Sequence, residues 1–131
     1  MDELFVEVKL ENIDKVLEFI NARIEHCPPK IKHQIGIAVD EIFSNIVHYA
    51  YHADIGYAKV RISVGHDITI EFEDSGIAYN PILADDPDIT LPAEDRKIGG
   101  LGVFMVKNLM DLVEYRRDGN NNILTIKKRM K

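Results

Sequence analysis

The sequence predicts an α+β domain, a two-layer sandwich in which a mixed, mainly antiparallel sheet is covered on one face by three helices. Three observations carry this prediction. Residues 34–51 form one long helical stretch. At ~100° per residue, Ile31, Ile35, Ala38, Val39, Ile42, Phe43, Ile46, Val47 and Ala50 fall within about half of a circle. Alternating runs come in adjacent pairs around turn residues, Tyr57 to Val64 with Ile68 to Phe72, and Val113 to Arg117 with Ile123 to Lys127. Such pairs read as hairpins. Finally, the element order is strand, two helices, two strands, a patternless stretch, helix, two strands, so one sheet with its helices on a single face is the economical solution.

Taken in order, Leu4 to Leu10 alternates and predicts a half-buried strand, with Leu4, Val6, Val8 and Leu10 inward. Asn12 is placed to cap a helix carrying Ile13, Val16, Leu17, Ile20 and Ile24, which runs to about Cys27. Pro28 and Pro29 end it and open the long helix, because proline suits a first helical position. After the first hairpin, which turns at Gly65-His66-Asp67, no period is visible from Asp74 to Ile98. A segment of that length in a compact domain reads as a functional lid, here roughly residues 77–98. The next helix opens at Gly99-Gly100-Leu101-Gly102, with Leu101, Phe104, Met105, Leu109 and Leu112 inward. The last hairpin turns around Asp118-Gly119-Asn120-Asn121. The outer sheet face, with Arg61, Glu71, Glu73 and Lys127, suits water.

The bulk numbers narrow the classes. At 131 residues with 46% hydrophobic composition, the chain is expected to be a single domain, 1–131, with a real core. A net charge of −6 argues against nucleic acid as the main partner, since phosphate neutralisation needs clustered Lys and Arg. The basic run 127–131 reads as a solvated strand end. One cysteine excludes an internal disulfide. The acidic start MDELFVEVKLE lacks an apolar signal core and no long apolar run follows, so a cytoplasmic location without a membrane segment is expected.

Three motifs carry chemistry. Glu41 and Asn45 lie one helical turn apart at the edge of the apolar stripe, a carboxylate and a carboxamide on one ridge. In isolation such a pair is most simply a solvated one. Asp74-Ser75-Gly76 follows a strand directly. An aspartate there can bond the edge of a planar ligand, with glycine allowing close backbone approach. Gly99-Gly100-Leu101-Gly102 exposes backbone N–H groups at a helix N-terminus, where phosphate is the natural ligand. It is neither a Walker loop, since no G-K-[ST] follows, nor a dinucleotide fingerprint, since no parallel strand-helix-strand unit surrounds it. The histidines read as surface residues or polar neighbours, His48 sharing a face with Glu41.

The order of E-x-x-x-N, D-x-G, lid and G-G-L-G resembles the GHKL ATPases, the Bergerat or histidine-kinase-like ATPase fold, over Ile31 to Lys127. Within that superfamily, AVDEIFSNIVHYAY, EDSGIAYNP and IGGLGVFMVKNLMDLVEY are similar to the small serine/threonine protein kinases that act as anti-sigma factors. The resemblance implies ATP and Mg2+ as cofactors. It implies that Asn45 coordinates the metal held by the phosphates, that Asp74 bonds the adenine amine, and that Gly99, Gly100, Leu101 and Gly102 wrap the phosphates. Glu41 is the implied catalytic base. Gly76 and Ala78 stand in the family's D-x-G-x-G, where Ala78 replaces the last glycine, a departure that adds only a methyl. The implied partners are a STAS-domain anti-sigma antagonist as substrate, a sigma factor as sequestered protein, and a second copy in a homodimer. Two other readings remain open here, a nucleotide-gated binding protein without kinase activity and a stand-alone module that phosphorylates histidine on another protein.

Overall fold

A computed structural model describes residues 1–51, 55–78, 80 and 100–130, with backbone alone for residues 100–103. Five strands form one sheet: β1 (Asp2–Glu7), β2 (Tyr57–Val64), β3 (Asp67–Asp74), β4 (Leu112–Asp118) and β5 (Asn121–Arg129). Their spatial order is β1-β2-β3-β5-β4, and all four pairings are antiparallel. Three α-helices, α1 (Ile13–Asn21), α2 (Pro29–Tyr49) and α3 (Gly100–Leu109), complete the expected α+β architecture. The core includes Val60, Ile70, Phe72 and Ile126 from the sheet and Val16, Ile20, Ile35, Val39 and Phe43 from the helices.

The long helix forms as its stripe demands. Pro28 precedes it with ψ at 146°, Pro29 takes the first position, and Ile31, Ile35, Ala38, Val39, Ile42 and Phe43 are buried. The second hairpin closes with Gly119 at φ +60°, a conformation glycine adopts without a Cβ clash.

The structure differs from the sequence expectations in five places. β1 stops at Glu7, and Leu10 is 50% exposed in a short 3-10 turn at Leu10–Asn12. Asn12 makes no side-chain cap; it is buried, and its Nδ2 donates to the Glu7 carbonyl at 2.9 Å, tying the strand end to the turn. α1 ends at Asn21 rather than near Cys27. There Arg23 donates to the Phe19 carbonyl through Nη1 at 2.9 Å, stacks over the Phe19 ring and pairs with Asp2. Among the described side chains of α3, Val106 is buried, as is Met110 just after the helix, and Leu109 packs on the core as expected, whereas Phe104 and Met105, also expected inward, are only partly covered. Leu112 opens β4 instead of extending the helix.

The outer sheet face carries the expected charges, but as a network. Glu3, Arg61 and Glu71 occupy one cross-strand row. Arg61 pairs with Glu71 at 3.0 Å, Glu73 at 2.8 Å and Glu3 at 3.4 Å. Burial alone would push the Glu73 carboxyl up, yet the bonds from Arg61 and Asn121 hold it below the usual range.

Candidate nucleotide site

The site grows from one row of residues on the helix-facing side of the sheet. Ladder register aligns Val6, Ala58, Asp74, Asn122 and Arg117 across β1, β2, β3, β5 and β4. The row begins apolar and turns polar at Asp74, the last residue of β3, which is only 6% exposed. Asp74 Oδ1 accepts the Gly76 amide N–H at 2.9 Å and Asn122 Nδ2 at 2.9 Å. Asn122 Nδ2 also donates to the Ile77 carbonyl at 2.8 Å, while its Oδ1 accepts from the Tyr115 hydroxyl and from Arg117 Nη1 at 3.0 Å. Arg117 Nη1 donates a second bond to the Gly76 carbonyl at 3.0 Å.

Burial raises the Asp74 carboxyl above the usual aspartate range; the bonds from Asn122 and Gly76 and the Arg117 charge offset part of that rise. Both described donors land on Oδ1, and among the described residues none is bonded to Oδ2.

The turn after Asp74 is also tied to the end of α2. The Ile77 amide donates to the Ala50 carbonyl at 3.1 Å. The Tyr51 hydroxyl accepts the Ser75 amide at 2.7 Å and donates to the Tyr57 carbonyl at 2.8 Å. Gly76 is buried here. A Cβ at 76 would fall 2.3 Å from the Ala50 carbonyl oxygen, so the glycine is required by helix–turn packing. The sequence reading had assigned it only to ligand approach.

The other expected residues fall around this anchor. Glu41 and Asn45 lie half-buried, one turn apart on α2. Among the described residues no hydrogen bond links either to Asp74. α3 packs on α2, so the helix opening at Gly100-Leu101-Gly102 joins the layer that carries Glu41 and Asn45. Gly99 and most of the lid 77–98 lie outside the described residues. Ala78 is exposed, as are Ile77 at 51% and His48.

Sequence reasoning missed Asn122, Arg117, Tyr115 and Tyr51. A usable signal existed for Asn122. It shares the inward register of β5 with Leu124 and Ile126, and a polar residue at a core register position implies a partner.

The arrangement offers a buried carboxylate with one oxygen engaged, beside a helix carrying a carboxylate and a carboxamide. Among the described residues no three His, Cys, Asp or Glu side chains converge on a point. A lone Asn45 oxygen suits magnesium, which keeps waters and takes substrate phosphates rather than an all-protein cage. No described helix is long and apolar enough to cross a membrane.

Known proteins are similar to this chain in sequence and in fold. The chain is 26% identical over 98 residues to the serine/threonine-protein kinase BtrW of Bordetella bronchiseptica, which covers 72% of this chain and 68% of that protein. It is 29% identical over 96 residues to the serine-protein kinase RsbW of Bacillus mycoides, covering 70% of this chain and 60% of that one, so the match spans under two thirds of RsbW. The histidine kinase AdeS of Acinetobacter baumannii superposes with a TM-score of 0.55 at 16% identity, over all of this chain and 70% of that one, which shows the shared fold. The family model for the histidine kinase-like ATPase domain matches residues 6–128, nearly the full length, and the chain belongs to that family.

Proposed function

We propose that this protein is an ATP- and magnesium-dependent serine/threonine kinase of the anti-sigma type, which phosphorylates a STAS-domain antagonist and sequesters a sigma factor. The observation that carries the nucleotide part is Asp74, a buried carboxylate at a strand end with Oδ1 engaged, in a chain of an ATPase family. The serine-kinase names of BtrW and RsbW support the choice of reaction.

In this reading Asp74 accepts the adenine amine. Asn45 supplies one oxygen to the magnesium, and the backbone of Gly99, Gly100, Leu101 and Gly102 faces the phosphates. The metal, when bound, neutralises phosphate charge. Glu41 orients the partner's hydroxyl and takes its proton as the oxygen bonds to the γ-phosphorus and the bond from that phosphorus to the β–γ bridging oxygen breaks, with ADP as the leaving group. Gly76 and Ala78 shape the turn where the lid leaves the site. A homodimer and a cytoplasmic location belong to the same reading.

The test is incubation with γ-labelled ATP and a STAS-domain protein. The expected product is acid-stable phosphoserine or phosphothreonine on the STAS protein. Acid-labile label would indicate a histidine-directed module. Binding of ATP without transfer would indicate a nucleotide-gated binding protein.

A further inference from the structure

Asn122 is a buried carboxamide on a sheet face that is otherwise apolar through Leu124 and Ile126. The four hydrogen bonds it makes to Tyr115, Arg117, Asp74 and Ile77 are chemically directional. Arg117 can only donate and the Ile77 carbonyl can only accept, so the amide has one orientation that satisfies both. In that orientation Nδ2 points a second N–H at Asp74 Oδ1, directly across the β3–β5 ladder. Turning the amide over would break these four bonds and set its oxygen against the carboxylate.

The same side chain also fixes the backbone next to Asp74. Asn122 holds the Ile77 carbonyl, and Arg117, itself bonded to Asn122, holds the Gly76 carbonyl. The Asp74 carboxylate and the turn that follows it are thus oriented by one group on β5. A charge-assisted bond to Oδ1 favours the ionised carboxylate that burial opposes.

We infer that Asn122 is the positioning residue for Asp74: by engaging Oδ1 and bracing residues 76–77, it presents Oδ2 as the acceptor for the 6-amino group of an adenine nucleotide. The inference rests on the nucleotide reading proposed above. It makes adenine selectivity a property of β5 as well as of Asp74. Replacing the carboxamide by a carboxylate keeps the acceptors for Tyr115 and Arg117 but removes the donor to Asp74 and places a second negative group beside it.

The experiment is a pair of calorimetric titrations, with Mg–ATP and with the magnesium complex of purine riboside triphosphate, which lacks the 6-amino group. The wild type should prefer ATP by about tenfold or more, the value of one good charge-assisted bond. Asn122→Asp is nearly isosteric, and circular dichroism checks its fold. It should lose that preference, with ATP binding about tenfold weaker and the purine analogue changed less than about threefold. Asn122→Ala should do the same. A purely structural role would weaken both nucleotides equally, and that result, or a retained preference in Asn122→Asp, overturns the inference. A wild type that binds ATP without preference refutes the adenine contact itself, and the inference falls with it.

Discussion

Gly76 sits against Ala50 so closely that a Cβ at 76 would meet the Ala50 carbonyl oxygen at 2.3 Å and its carbonyl carbon at 2.7 Å. Both are backbone atoms at the end of α2, so nothing flexible can give way. Gly76→Ala should therefore separate the turn from the helix, break the Ile77–Ala50 hydrogen bond, and destabilise the fold by about 1–3 kcal/mol. Gly36 is the control. It lies inside α2 with nothing within 4 Å of a built Cβ. Gly36→Ala should stabilise by about 0.5–1 kcal/mol, since alanine restricts the unfolded chain and fits the helix. Urea unfolding of both variants measures the pair, and a neutral Gly76→Ala would contradict the packing account.

Asp74→Asn should raise the melting temperature while weakening Mg–ATP binding. Burial raises the Asp74 carboxyl, so the folded state holds its proton more readily than the unfolded chain does. Its stability contribution is lost as pH climbs from the ordinary aspartate range through the raised value, and above that window the ionised group opposes folding. Asparagine keeps an Oδ1 acceptor for Gly76 and Asn122 without the charge. The gain should be present at pH 7.5 and shrink on acidification below the ordinary aspartate range. Scanning calorimetry across that range checks it, and a lower melting temperature at pH 7.5 would count against it.

Arg61 works with the opposite sign. It holds Glu3, Glu71 and Glu73 together, with Arg61, Glu71 and Glu73 each less than one-fifth exposed. Arg61→Met should leave three neighbouring carboxylates unpaired and destabilise by about 1–3 kcal/mol at pH 7, less than for a fully buried pair because water still screens the site. The Glu73 carboxyl is held low, so its contribution is present above the unfolded glutamate range and is lost as pH falls through the folded value. The deficit of the variant should therefore narrow in acid. Equal deficits at pH 7 and in acid would show that lost packing, not charge, is responsible.

Glu41 and Asn45 should separate functionally although they share one ridge of α2. Asn45→Ala should lower Mg–ATP binding and phosphoryl transfer together. Glu41→Gln should leave ATP affinity within a few-fold and lower the single-turnover transfer rate by roughly 10²–10⁴. Equal losses of binding and transfer in Glu41→Gln would refute its assignment as base.

The long helix was legible because Ile31, Ile35, Val39, Ile42 and Phe43 keep a helical period over about three turns, and the two hairpins because their alternation flanks Gly65 and Gly119. Long-range contacts were less legible. Asn12 looked like a cap because its sequence neighbours are helical, yet its partner is the Glu7 carbonyl across a turn. Gly76 looked like an opening for ligand because no sequence rule brings Ala50 to it. Asn122 went unassigned, falling between the expected turn and the strand from Ile123, since its partners Asp74, Ile77 and Arg117 meet only once β5 enters the sheet between β3 and β4. In α3, apolar residues are not confined to one face, so composition did not settle that Val106, with Met110 just beyond the helix, would be buried.

The most direct measurement is an isothermal titration of Mg–ATP into the wild-type chain beside Asp74→Asn. The account predicts saturable binding to the wild type that requires magnesium for full affinity and is weakened about tenfold or more by the substitution. Absence of ATP binding to the folded wild type, or equal affinities for the two proteins, would contradict it.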